Sequence, residues 1–311
     1  TTHFIFLQFL SRTLVQKDFM SISKYLMALL ISGFLLGQGL IAQEINFSLV
    51  REYESNFNFP TDLCGNAKGD VFVLDGMNDR VVVLKANGEV SDIKPQRESF
   101  YKAVGIAWIK GELWIADTPR SRLIKMELDG RISQVIALAH GIEPVDLIAA
   151  GDYKVVSDRM NHTITVLDEN AEEKYFWGSR GESFGQFINP GFMAMAPENR
   201  LIIGDILNRR VVSYSQSGRY PQVIAKPGVE RGQIFRPKGI DIDAQGRIWV
   251  ADGYTGAIQA FSVSGKFVGI ASSKGKSIAL KAPMGIWVDK QNRLWVVEAL
   301  ASKVSVWQIS K

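Results

Sequence analysis

Glu112 to Met126 reads ELWIADTPRSRLIKM: an apolar run ending in Asp117, a turn, and a second run opening at Arg122, five residues beyond the acid. The same phrase returns as DVFVLDGMNDRVVVL from Asp70, YKVVSDRMNHTITVL from Tyr153 and RLIIGDILNRRVVSY from Arg200. It returns twice more as RIWVADGYTGAIQAF from Arg247 and RLWVVEALASKVSVW from Arg293. The acids are Asp75, Asp117, Asp158, Asp205, Asp252 and Glu298, spaced by 42, 41, 47, 47 and 46 residues. A fixed period of this length is the mark of a repeat architecture, in which each copy is one supersecondary unit that buries its faces only against its neighbours.

Outward from the phrase, each copy gains two more strands. Upstream, five copies open with proline: FPTDL from Phe59, EPVDL from Glu143, NPGFM from Asn189, RPKGI from Arg236 and APMGI from Ala282. In the second copy AVGIA from Ala103 stands there without a proline. Downstream come the turns Asn87-Gly88, Asp129-Gly130, Glu169-Asn170, Ser217-Gly218 and Ser264-Gly265, which are hairpin signals between alternating runs. A fourth strand follows each turn. Four antiparallel strands per repeat, with no helical period after residue 43, predict an all-β fold, a six-bladed β-propeller of four-stranded blades. The phrase P-x-G-I…G-x-[IL]-[WF]-V-A-D…N-x-R-[VI] and the loops GESFGQFINP from Gly181 and GVERGQIFRP from Gly228 resemble the NHL-repeat propellers, in their secreted or periplasmic bacterial type. The resemblance covers residues 45–311 and implies the same six-bladed fold. It implies no single activity, because propellers host many.

The sixth copy ends after its third strand, Val304–Ile309, while Ile45–Tyr53 (INFSLVREY) is a strand with no blade of its own. The two ends are therefore expected to pair, the N-terminal strand completing the last blade and removing exposed sheet edges. Before it, residues 1–43 read as a leader. Lys24 precedes an apolar h-region at 25–42, YLMALLISGFLLGQGLIA, in the pattern of a secretory signal peptide. The domains are thus a leader, 1–43, and a propeller, 44–311, expected in the periplasm or secreted; a membrane is expected only if the leader stays uncleaved.

Composition narrows the function. Of 311 residues 46% are apolar and 22% charged, with 36 Lys and Arg against 32 Asp and Glu. Without the leader the balance is 33 to 31, so no basic excess supports nucleic-acid binding. One cysteine, Cys64, excludes an internal disulfide and a Cys-rich zinc site. Some NHL-like propellers are amidating lyases with three zinc-bound histidines; beyond the leader only His140 and His162 remain here. No G-x-S-x-G elbow or Gly-rich phosphate loop is present.

Six symmetric acids are read as structural, each capping a turn and pairing a cation five residues on (Arg80, Arg122, Arg210, Lys303), with Thr163 and Ala257 breaking the pattern. What departs from the repeat is read as functional. In P-x-G-I the third residue is Gly105, Gly239 and Gly285, but Asp62 and Asp146 replace it in two copies and Phe192 in a third. With Glu143, Asn189, Arg236 and Lys238 from the entry loops, Asp62 and Asp146 form the candidate ligand site at the channel mouth. Asp62, Asp146 and Asn189 are also the weak candidate for a divalent cation through oxygen ligands; otherwise no cofactor is expected. A bland alternative has Asp146 paired with Arg236 or Lys238 in a solvated channel. The main reading is a non-enzymatic, monomeric scaffold that binds a protein, peptide or glycan on its entry face. The alternative is a metal-dependent lactonase- or hydrolase-like, or lyase-like, propeller enzyme.

Overall fold

The computed structural model describes residues 44–96 and 99–310. The leader expected over 1–43, with its h-region, lies outside the described residues. No helix of the described residues is long and apolar enough to cross a membrane.

Each quoted phrase folds into an antiparallel strand pair. Val71–Asp75 and Arg80–Leu84 are rich in valine and buried at every position but Arg80. Burial on both faces follows from period two. Phe72, Leu74, Val81 and Val83 join a core with Ile106, Leu113, Ile115 and Ile124 of the next repeat. The residues between them, Val71, Val73, Val82 and Leu84, join a second core with Trp295, Val297, Val304 and Val306 of the last repeat. Each sheet is thus sandwiched between its neighbours.

The chain is all-β, a propeller arrangement of four-stranded sheets. Three sheets have four strands: Asp62–Gly65 to Val90–Ile93, Gly105–Ile109 to Ile132–Ala137, and Pro144–Ala150 to Glu173–Trp177. A fourth runs from Pro190–Ala196 to Gln222–Pro227 and adds the short parallel strand Gln233–Ile234. The innermost strand of every repeat contacts that of the next, and Pro283–Val288 contacts Asp62–Gly65, so the inner ring closes on itself.

The last two repeats depart from the expectation of separate blades. They share one nine-stranded sheet, because Glu44–Tyr53 pairs on both of its edges. Phe47 to Tyr53 run antiparallel to Val304 to Ile309, as the pairing of chain ends predicts. Glu44 to Asn46, just upstream, run parallel to Ile270 to Ser272 of the preceding repeat. That edge would otherwise present unpaired N–H and C=O groups.

All six repeated acids are buried, and their partners are local. Asp75 accepts the Asn58 N–H at 2.7 Å with one oxygen, and Asn78 Nδ2 and Arg80 Nε, both at 2.8 Å, with the other. Asp205 does the same with Ile188 N–H (2.9 Å), Asn208 Nδ2 (2.7 Å) and Arg210 Nε (2.9 Å). Where the cation is missing, backbone replaces it: Asp252 accepts the N–H groups of Phe235, Arg236, Tyr254 and Thr255. Each acid therefore ties the entry segment of its repeat to the turn that follows it. Asp205→Ala strands several buried donors and the Arg210 guanidinium at once, and is expected to cost about 3–5 kcal/mol in a denaturant melt.

Candidate active site at the propeller axis

The six inner strands enclose a cavity of about 210 Å³ on the axis. Its wall carries apolar side chains from Leu63, Ile106, Trp108, Ile148, Phe192, Met193, Ile240, Ile286 and Trp287, with Asp62, Asp146 and Asp241 and backbone polar groups set among them. The glycines of P-x-G-I explain how the strands come so close. A Cβ on Gly105 would stand 2.4 Å from the Val145 carbonyl, one on Gly239 would stand 2.3 Å from the Met284 carbonyl, and one on Gly285 would strike Asp62 Oδ1 at 2.1 Å.

The three aspartates come from alternate repeats, and each reaches across to the next inner strand. Asp62 Oδ2 accepts the Ile106 N–H at 2.9 Å. Asp146 Oδ2 accepts the Met193 N–H and its Oδ1 the Leu147 N–H, both at 2.7 Å. Asp241 Oδ2 accepts the Val288 N–H at 2.6 Å. Asp62 and Asp146 occupy equivalent positions; Asp241 lies two residues further along its strand. Among the described residues none of the three forms an ion pair.

Removal from water without a cation disfavours the charged form. Burial first, then the charge of Asp146, pushes the Asp62 carboxyl well above its ordinary value, against the opposing N–H from Ile106. Burial pushes Asp146 up to about 6, against the N–H groups of Met193 and Leu147. Asp241, half-buried on the cavity wall, is pushed up to about 7 by enclosure, against the N–H groups of Val288 and Ile242. The Cys64 thiol, on the same wall, is raised by burial and by Asp62 and Asp146.

Only two of the six residues singled out from sequence reach this cavity. Glu143, Asn189, Arg236 and Lys238 lie outside its wall. Glu143 Oε2 holds Arg159 Nε at 2.6 Å. Asn189 occupies the left-handed region (φ 62°) ahead of Pro190, and its N–H donates to His162 Nδ1 at 3.2 Å. Arg236 is exposed, and half-buried Lys238 has its ammonium pKa lowered to about 8, by burial first and then by Arg236 and Arg159. The expected pairing of Asp146 with Arg236 or Lys238 does not form, because both Asp146 oxygens already accept backbone N–H groups inside the ring. The oxygen set Asp62, Asp146 and Asn189 is not assembled either. Among the described residues no three His, Cys, Asp or Glu side chains gather as a metal site, so no step is drawn through a metal.

Asp241 was absent from the sequence expectation because P-x-G-I drew the eye to the third residue of each inner strand. The signal was present two residues later: Asp241 stands where the other copies carry Cys64, Ala107, Ile148, Ala194 and Trp287. Trp177, the tryptophan nearest to a loop, packs within 5.6 Å of Phe187 and 5.0 Å of Tyr214 (ring centroids) and donates Nε1–H to the Gln216 carbonyl at 3.0 Å. It belongs to the packing between sheets.

No family model matches the chain, so the NHL assignment stays a resemblance of motifs, and no curated relative matches it. Solved structures do. A catalytically inactive variant of virginiamycin B lyase from Staphylococcus aureus, solved with quinupristin, aligns with TM-score 0.62 at 15% identity, over 84% of this chain and 85% of that one. A gluconolactonase from Xanthomonas campestris aligns with TM-score 0.63 at 16% identity, over 82% and 87%. A putative gluconolactonase from a structural-genomics programme aligns with TM-score 0.64 at 15%, over 86% and 92%. At such identities the likeness is one of β-propeller fold. These neighbours are enzymes, or in the last case a putative one. The expectation of a non-enzymatic scaffold, reached by elimination, is therefore withdrawn.

Proposed function

We propose that the protein is a propeller enzyme of the lyase or lactonase-like hydrolase class, with the axial aspartates as its acid–base groups. The observation that carries this reading is the trio Asp62, Asp146 and Asp241, enclosed in one cavity without a cation, with Asp146 near 6 and Asp241 near 7. General acid–base catalysis is most effective when the group's pKa lies near the working pH, and clustered perturbed groups in a cavity mark candidate active sites. At neutral pH Asp146 is mostly ionised and can accept a proton. Asp241 is about half protonated and can donate one. A lyase needs a base to take a proton from carbon and an acid to protonate the leaving oxygen; a lactonase needs the base to activate water. Either set of roles suits this pair.

We also count the nine-stranded sheet as two blades, which makes six. Six acid-tied turns and six inner strands in a closed ring support the count. The motif phrase and its two inter-blade loops support the NHL kinship.

The test follows the solved relatives. Purified protein is assayed with glucono-δ-lactone and with quinupristin, beside Asp146→Asn and Asp241→Asn. Turnover of one substrate by wild type, falling about 10²-fold or more in Asp146→Asn, is the expected result. Full rates in both variants would assign the aspartates to structure alone. Failure of wild type on both substrates would reject the lyase and lactonase reading.

A further inference from the structure

Two residues after each buried acid the turn carries an apolar side chain: Met77, Pro119, Met160, Leu207, Tyr254 and Leu300. All six are exposed, Leu300 to 72% and Tyr254 to 63%. Solvent-facing turns select Gly, Asn, Asp, Ser and Pro, so five of these six side chains, all but Pro119, depart from ordinary turn chemistry. The hairpin turns at the opposite end keep Asn87-Gly88, Asp129-Gly130, Ser217-Gly218 and Ser264-Gly265, with Leu128, Tyr220 and Val263 exposed beside them, so the apolar choice is concentrated at one end without being exclusive to it. Antiparallel connectivity puts these six turns and the entry segments at that same end, where backbone bonds join them, as Leu207 N–H to the Ile188 carbonyl and Leu300 N–H to the Lys281 carbonyl. Exposed Phe59 and Tyr101 of the entry segments add to the apolar surface.

Cations outnumber acids on this end. The four residues after each acid and the entry segments carry Lys102, Arg120, Arg159, Arg180, Arg209, Arg231, Arg236 and Lys281 against Glu54, Asp79, Glu143, Glu182 and Glu230. Two of the acids are already engaged, Asp79 Oδ1 with the Lys102 N–H at 2.9 Å and Glu143 with Arg159. Over residues 44–311 as a whole the charges nearly balance, 33 to 31, so the excess is local.

We propose that this face docks on an anionic lipid bilayer, the six apolar side chains entering the interface and the cations meeting lipid headgroups. Symmetry spreads the apolar residues over six separate turns around the axis, which suits a planar partner better than a ridge or helix. Apolar side chains interleaved with Lys and Arg are the composition of interfacial membrane binding, and aromatic residues such as Tyr254 favour the headgroup level. The inference stands apart from the catalytic reading, since none of these side chains lines the axial cavity.

Residues 44–311 form a compact unit by themselves and are the protein to use. They are sedimented with vesicles of phosphatidylcholine alone and of phosphatidylcholine with phosphatidylglycerol, at low and high salt, with thermal melts confirming the fold of every variant. The folded protein is expected to partition onto the phosphatidylglycerol vesicles, less so as salt screens the headgroups. The pair Leu300→Glu and Tyr254→Glu is expected to weaken partition about tenfold or more. The pair Tyr220→Glu and Val263→Glu, exposed in hairpin turns at the other end, is expected to change nothing. No partition onto anionic vesicles, or equal losses from the two pairs, would overturn the proposal. So would a dimer dispersed by Leu300→Glu and Tyr254→Glu without vesicle binding, which would give the face to a second copy of the chain.

Discussion

Deleting residues 44–53 is expected to remove at least about 5 kcal/mol, a large part of what an ordinary domain possesses. The segment is the seal between two repeats. Phe47 is 1% exposed and meets Trp249 edge-on at 5.4 Å, in a core shared with Ile45, Leu294, Val296 and Ile309. Its loss opens a cavity there and bares two sheet edges, those of Lys303–Ile309 and Phe267–Ser273. Phe47→Ala alone is expected to cost about 3–5 kcal/mol, because the site cannot fully collapse around Trp249. Soluble yield and thermal midpoint measure both. An unchanged midpoint in the deletion would show that the ring does not depend on its closing strand.

The second large effect is on pH. Each axial aspartate has a folded-state pKa above its ordinary 3.8, Asp146 near 6 and Asp241 near 7. Between these values the folded protein holds protons that the unfolded chain releases. The stability they contribute is full below about pH 4 and is lost as pH rises through 6 and 7. A shift of about two units corresponds to about 3 kcal/mol for Asp146; access from the cavity lowers the figure for Asp241 to the order of 2 kcal/mol. Asp241→Asn keeps an oxygen for the Val288 N–H and cannot ionise. Guanidinium melts at pH 5 and pH 8 are expected to show the variant more stable than wild type at pH 8 and close to it at pH 5. A variant less stable at pH 8 would mean that the charged form of Asp241 is favoured inside the ring.

Much of this molecule is legible in sequence because repetition makes local chemistry audible. Six acids at one offset announce six turns, and the prolines and glycines of P-x-G-I announce inner strands packed too closely for a Cβ, as Gly239 against the Met284 carbonyl shows. The antiparallel pairing of Ile45–Tyr53 with the last strand could be read from a surplus strand and a missing one. Its second, parallel partner could not, since nothing in the residues Glu44 to Asn46 names the edge they join. At the site, the acids that break the repeat, Asp62 and Asp146, were visible. Glu143, Asn189, Arg236 and Lys238 were grouped with them by proximity in sequence, yet Glu143, Asn189 and Arg236 precede the proline that opens their inner strands, and Lys238, one residue inside its strand, does not line the cavity either. Asp241 was hidden because strand depth, not motif position, decides what reaches the cavity.

The closing pair also governs how the protein can be made. Lys303 bonds Glu52 from 251 residues away, so the strand Phe47–Tyr53 has no antiparallel partner until Val304–Ile309 has been made. The second to fifth repeats pack on inner strands made just before or after them and can assemble as the chain lengthens, whereas one face of the first waits for the last. The strand at 47–53 must wait unpaired while the repeats between are made. Contacts of such separation slow folding and prolong exposure to aggregation. A new start in the loop between Ser273 and Lys276, with the old ends joined, would keep nearly every strand beside a partner made close to it in time.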